Sequence, residues 1–520
     1  MKWAEITHSR EQLVLIPTSL EDAIGPDHQV RLIDSLLERL SWTQLEATYH
    51  RRLGQPPIHP RILSGVILYG LICRIRSSRK LEEALQVRID FRWLAHAMAI
   101  DHSTLSEFRR KHPQQLRDLF VQVVLVGQEM GLVQFRRLGF DGTRMRANNR
   151  KSGTRTPDQL RTAKAKLEEE FDRLNEQAEQ QDSQDEETFG DSQAAAGQDS
   201  PQERRAQLEL ARRRVEAALT ELEAIDKTRE KTPKRLPITD PQSRFGKTKE
   251  GGFAPGYTPT ATVDVDSGMM VNQGVIAQSN ESGELLQSLD QVRQDYHLPG
   301  PVPEVLADGL MATGENLQAC EELGVDFYSP VRGAHAGENP ARREVLSEPV
   351  AEDQLDRLPM ERVKQQERFD KQAFVYDAQQ NVYWCPNGKP LQHSSRYRTT
   401  ESGREVTRDR YRAEAEACAD CPLKARCVSG KSASRQIDRG AHEDVIDRQV
   451  DKMNQPESQT KYAARRHAAE RPFAVIKQVF GARQFLTRGL ESVRQEWCWL
   501  SIAFNLTILS RALGAQGQSP

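Results

Sequence analysis

Between Phe135 and Val331 the chain changes texture, and that change limits the available folds more than any other feature. RRLGFDGTRMRAN (136–148) alternates apolar and polar positions as a strand does, and it carries Asp141. YTPTATVDVDSGMMVNQGVIAQ (257–278) predicts two strands joined by a turn at DSG, followed by a helix at SGELLQSLDQVRQDY. A short strand, EVLADG, ends at Asp308; the helix TGENLQACEELG and the strand DFYSPV complete the run. The order is strand, insertion, strand, strand, helix, strand, helix, strand. It predicts an α/β core, a mixed sheet with helices packed on it.

The flanks read differently. Residues 1–134 predict an all-α domain: HPRILSGVILYGLICRI has a proline near its start, and SSRKLEEALQ opens with a serine cap. DHSTLSEFRRKHP follows, a helix capped by Asp101 or Ser103 and presenting Arg109 and Arg110. Short helices ending in a basic one suit helix-turn-helix DNA binding, and suit an ordinary helical bundle equally. Residues 155–235 are rich in Glu, Gln, Ala and Arg. They predict a helical hairpin, with helices near 157–181 and 202–228, whose polar tip is disordered. Residues 335–455 are polar and irregular in texture and contain a cysteine cluster, while Gln459–Ala515 predicts two or three helices. The core is therefore expected from 135–334 together with 456–515.

Composition narrows the setting. No apolar run approaches the roughly 18 residues of a membrane span, and MKWAEITHSREQ lacks the apolar core of a signal peptide. A cytoplasmic, nucleoid-associated protein with no membrane partner is expected. The net charge of -2 argues against a nucleic-acid partner only as an average. The acidic stretch Gln181–Gln202 balances a C-terminal segment bearing Lys461, Arg465, Arg466, Arg471, Lys477, Arg483, Arg488 and Arg494, and it does not cancel that segment locally. Such a run can equally be a solvated face.

Asp141 and Asp308 each end a strand and precede glycine. Groups at the carboxyl ends of neighbouring strands converge on one edge. Two carboxylates brought together there repel unless a cation lies between them. Each Asp-Gly could instead simply shape a turn. In KYAARRHAAERPFAVIKQVFG (461–481), Arg466, Glu470 and Lys477 are separated by four and seven residues, which places them on one face of a continuous helix. Glu470 could complete a metal site there. A surface helix with ion pairs has the same spacing.

These motifs together resemble the insertion-sequence DDE transposases, and the likeness runs along nearly the whole chain. It is carried by IHPRILSGVILYG, SSRKLEEAL, FRWL and DHSTLSEFRRKH in the helical region, by FDGTRMRAN, by LADGLMATGENLQA, and by Arg466, Glu470 and Lys477. TDPQSR (239–244), Gly256-Tyr257 and QFLTRGLESVRQEW (484–497) add to it. Two departures stand out. Tyr462 precedes Arg466 by four positions where three are expected, and Gly309-Leu310 replaces a Gly-Tyr pair.

The resemblance implies an RNase H-like catalytic core in which Asp141, Asp308 and Glu470 bind two Mg2+ or Mn2+ ions. It implies metal-dependent cleavage at transposon ends and transfer of the 3′-hydroxyl into target DNA. Arg466 and Lys477 would hold phosphates, and the N-terminal helices with Arg109 and Arg110 would bind the terminal inverted repeats. Double-stranded DNA is the expected partner and a homodimer on DNA the expected assembly. The rival readings are a transposon-derived DNA-binding protein without catalysis, and an RNase H-like nuclease that does not join. Cys385, Cys418, Cys421 and Cys427 include one C-x-x-C pair. They suggest a closed structural zinc site, or else free thiols; the resemblance includes a Cys-rich segment at this place.

Overall fold

The computed structural model describes residues 19–49, 56–149, 153–187, 201–227, 235–248, 252–278, 280–334, 339–363, 366–401, 404–428 and 432–517. Its centre is a sheet built on β1 (Arg137–Gly142), β2 (Phe253–Asp264), β3 (Met270–Ile276), β4 (Glu304–Ala307) and β5 (Asp326–Tyr328). In space these run β3-β2-β1-β4-β5. The β3, β2 and β1 neighbours are antiparallel, whereas β1, β4 and β5 are parallel. An antiparallel pair needs only a turn; parallel strands need crossovers. Helices Glu284–Asp295 and Gly314–Leu323 supply them.

The turn between β2 and β3 is tied by Asp264, which is fully buried. One carboxylate oxygen accepts from the backbone and hydroxyl of Ser267 (2.9 and 2.8 Å), the other from the Phe135 N–H (3.0 Å). Gly268 at φ 73° closes the turn, a conformation that glycine adopts without strain.

The last helix, Leu490–Gly517, lies across this sheet. β3 is an edge strand, and Asn505 covers it: Oδ1 accepts from Met270 N–H (2.9 Å) and Nδ2 donates to Met270 C=O (2.8 Å). Orphaned edge groups are thus satisfied in the core. Trp497 stacks on Phe473 and donates to Thr260 C=O. By length and composition Leu490–Ala515 could cross a membrane, contrary to the expectation that no stretch would, but most of it is covered by the protein. Buried Ser501, Asn505, Thr507 and Ser510 interrupt its apolar residues, so no uninterrupted run appears in the sequence.

The N-terminal helices Gln29–Glu38, Pro60–Ile72, Ser78–Val87, His102–Lys111 and Pro113–Glu129 match the helical reading. Pro60 takes the first position of its helix, and Asp101 caps His102–Lys111 by accepting from Thr104 N–H at 2.8 Å. Ser77 makes no such cap bond. One hydrophobic core runs continuously from these helices through the sheet to the last helix.

The helical hairpin is present as Pro157–Glu187 and Pro201–Lys227, closed at its base by Leu160, Val215, Ala218 and Leu222. Its expected disordered tip, 188–200, lies outside the described residues. The Cys-rich stretch differs from expectation. It is an ordered antiparallel sheet of Val375–Asp377, Val382–Trp384, Pro390–Glu401, Arg404–Ala413 and Gln436–Gly440, in that order, with its own core around Phe369, Tyr383, Leu391 and Tyr411. Its longest strands carry polar residues on both faces, so the alternation that marks a half-buried strand is missing. The main core resumes with the helix Glu443–Asn454, whose Val445 belongs to it.

Candidate active site

Asp141 is the fifth residue of the central strand β1 and is buried. In the parallel β1–β4 pair, Phe140 stands opposite Ala307, so the next residues, Asp141 and Asp308, come side by side where that pairing ends. Asp308 is held by Leu310 N–H, which donates to Oδ1 at 2.8 Å, and by Ser329 Oγ, which donates to its carbonyl at 2.6 Å.

Glu470 arrives from elsewhere. The helix Pro456–Ala468 ends just before it, a short helix Arg471–Ala474 begins just after it, and Val475–Val479 is a π-helix. The continuous helix expected from the spacing is therefore broken at Ala469 and Glu470, and its later part is underwound into a π-helix. Such irregular turns recur at functional sites. What seats the break is Gly139, two residues before Asp141 and on the same sheet face: a Cβ there would stand 3.2 Å from that of Ala469. The missing side chain lets the helix end settle over β1, and it brings Glu470 to the strand's mouth.

Asp141, Asp308 and Glu470 all line one cleft of about 330 Å3, together with Thr143, Arg144, Lys247, Glu281 and Arg465. The sequence reading named Arg466, but the arginine that the structure places against the acids is its neighbour Arg465. Arg466 is solvent-exposed, whereas the buried Arg465 reaches Asp141 Oδ1 at 3.1 Å and Glu470 Oε1 at 3.8 Å. Counting four residues back from Glu470 along an unbroken helix gives Arg466; with the helix broken at Ala469 and Glu470, Arg465 is the one that faces the acids. Tyr462 precedes Arg465 by three positions. Its hydroxyl hydrogen-bonds Arg465 and is pushed above the usual tyrosine range, first by burial and then by the charges of Asp308 and Asp141.

Lys477 Nζ donates to Thr143 Oγ1 (2.7 Å) and to Arg144 C=O (3.2 Å), which braces the cleft wall beside Asp141. Arg144 went unnoticed in the sequence although it follows Asp141 by three residues. Its guanidinium is pulled down to about 10, by burial first and then by Arg244. It donates to Thr258 Oγ1 and to the carbonyl of Ala277. Glu281 was also missed, because it sits in a connection with no periodicity.

Arg109 and Arg110 are not near this cleft's lining. Arg109 turns inward, donates to Arg76 C=O at 2.6 Å, and is brought down to about 10 by burial. It belongs to the seam between the N-terminal helices and the last helix, where Trp499 donates to its carbonyl. Arg110 is exposed.

The four clustered cysteines are all free thiols within the β module. Lys389 N–H donates to Cys385 Sγ at 3.3 Å. Cys427 is pushed up to about 12 by burial, with further elevation from Cys385, Cys418 and Cys421. Among the described residues no three His, Cys, Asp or Glu side chains, as placed, stand close enough to share one ion. The donor chemistry is nonetheless distinct in the two places: oxygen only in the cleft, thiol only in the module.

Residues 18–111 match the family described as Transposase domain (DUF772), and residues 384–510 match the family described as Transposase DDE domain. No curated protein matches the chain. Transposase families at both ends of the molecule indicate a transposase, a class of protein that acts on DNA. More narrowly, the two matches together support an insertion-sequence DDE transposase, a family that typically uses divalent metal ions. The DDE-domain match spans Cys385 to Cys427 as well as Glu470 and Lys477; Asp141 and Asp308 lie outside it.

Proposed function

We propose that this transposase cleaves the ends of its own element and joins the freed 3′-hydroxyl to target DNA, with Asp141, Asp308 and Glu470 as its catalytic acids. The observation that carries this reading is the convergence of the three on one cleft, from two adjacent strand ends and a helix break. The strand order β3-β2-β1-β4-β5, with one acid on the central strand and one on its parallel neighbour, supports an RNase H-like core.

The all-oxygen donor set suits magnesium or manganese, which Asp141, Asp308 and Glu470 would hold. When bound, a pair of divalent ions activates the attacking oxygen and stabilises the leaving one. The chain's own residues do the positioning. The β1–β4 register fixes Asp141 against Asp308, and the Gly139 seat fixes Glu470. Arg465 offsets the repulsion among these acids. Arg144 and Lys247 place positive charge on the wall along which a phosphate backbone would lie. Lys477 acts through Thr143 and Arg144 rather than by direct reach. Arg110 and Lys111 are the basic residues of that helix left exposed to meet DNA, and Arg109 is structural. Synapsis of two ends calls for at least a dimer on DNA. The thiol module would hold a structural zinc ion, with Lys389 N–H stabilising the Cys385 thiolate.

The test is cleavage and joining of labelled DNA bearing the element's terminal inverted repeats, with Mg2+ or Mn2+. Wild type should form strand-transfer products, while Asp141→Ala, Asp308→Ala and Glu470→Ala should bind the ends and do neither step. Binding without cutting by the wild type would mark a DNA-binding relic, and cutting without joining would mark a nuclease.

A further inference from the structure

Glu281 lies between β3 and the helix Glu284–Asp295, in a stretch that no motif singles out. Its side chain is 7% exposed and lines the same cleft as Asp141, Asp308 and Glu470. It presses against the strand that carries Asp141, since a Cβ on Gly142 would stand 3.1 Å from Oε1. Among the described residues its carboxylate hydrogen-bonds only its own backbone amide. Burial first, then the charges of Asp308 and Asp141, hold its carboxyl above the usual range, with Arg332 opposing.

A buried carboxylate met only by its own backbone amide is costly and rarely kept. Among the described residues no cation makes an ion pair with it, and Arg332 offsets its charge only in part. Arg465 is committed to Asp141 and Glu470, and Arg144 donates to Thr258 and to main-chain carbonyls. What would answer three or four crowded carboxylates at once is a small, hard, doubly charged cation.

We propose that Glu281 is a fourth carboxylate of the divalent-cation site, sharing an ion with Asp141 and Asp308. This rests on the metal-site reading above. It makes the connection after β3 part of the site, and it ties metal binding to a residue far in sequence from both strand ends.

The test is Mn2+ binding to the full chain without DNA, followed by loss of the free-Mn2+ EPR signal, for wild type, Asp141→Ala, Glu281→Gln and Glu281→Asp. Melting temperatures are taken with and without metal. Glu281→Gln should weaken Mn2+ binding about tenfold or more and shrink the Mn2+-induced rise in melting temperature, with Glu281→Asp intermediate. Wild-type affinity in Glu281→Gln, alongside weakened binding in Asp141→Ala, overturns the proposal and leaves the metal site standing. Absence of Mn2+ uptake by the wild type overturns both. Should Glu281→Gln fail to fold without metal, Glu281→Asp decides: weakened binding with an unchanged metal-free melting temperature supports the proposal, and wild-type binding overturns it.

Discussion

The carboxylate cleft and the thiol module each gather side chains that repel one another once ionised, yet they stand on different ground. The cleft is cut into a sheet whose core runs from the N-terminal helices to Leu509. Its repulsion is partly met by a protein cation, Arg465. The module has a much smaller core, and its Cys385 and Cys427 thiols are raised by burial and by neighbouring thiols, with Arg435 opposing at Cys427. A large scaffold can assemble before its ion arrives, whereas a small one draws part of its folding energy from the ion. On the proposed reading, the same chain combines a site that metal would visit with a site that metal would help to build.

The sharpest way to break this contrast is at the acids. Asp141→Ala should lower end cleavage about a thousandfold or more while leaving the melting temperature close to that of wild type. A large loss of stability would mean that the cleft, too, depends on its charged groups to fold. Next comes Cys418→Ser: elemental analysis should show loss of bound zinc, and limited proteolysis should open the segment between Met360 and Gly440 while the sheet stays protected. Equal protection of both regions would remove the distinction.

A third variant probes the seat rather than the ligands. Gly139→Val puts bulk where Ala469 already stands at 3.2 Å. It should cost about 1–3 kcal/mol in chemical denaturation and depress cleavage beyond what that loss explains, because Glu470 moves with the helix end. The smallest effect is expected at Asp240, away from both sites. This buried carboxyl accepts from Tyr257 OH (2.6 Å) and from Gly489 N–H (3.1 Å), and burial holds it above the usual carboxylate range. A raised carboxyl favours the fold while protonated, and that contribution is lost as pH climbs through its folded value. Asp240→Asn should therefore melt about 2 °C higher than wild type at pH 8, and the gap should close in acid.

The strand-ending aspartates were legible because alternation fixes where a strand stops, and the order of elements fixed which strands could be neighbours. The segments TDPQSR, Gly256-Tyr257 and QFLTRGLESVRQEW were visible as motifs without a reason. The structure supplies one: Asp240, Tyr257 and Gly489 meet in a single buried latch, and Gln242 accepts from Leu490 N–H at 2.8 Å. Arg465 was hidden by a helix break that no spacing rule anticipates. Glu281 was hidden because connections have no period to read. The β module was hidden because Arg396, Arg398, Arg408, Arg410 and Arg412 give its long hairpin a polar surface on both sides.

The helix Leu490–Gly517 has a consequence in time. It supplies Trp497, Leu500, Phe504 and Leu506 to the core and covers the open edge of β3 through Asn505. Until those residues have left the ribosome, the nascent chain carries a bare strand edge and an unfilled core, a state prone to wrong partners. Competence to fold, and with it any competence to cut, waits on the synthesis of this helix. Fragments stopped ahead of Leu490 should accumulate as aggregates rather than as partly active enzyme.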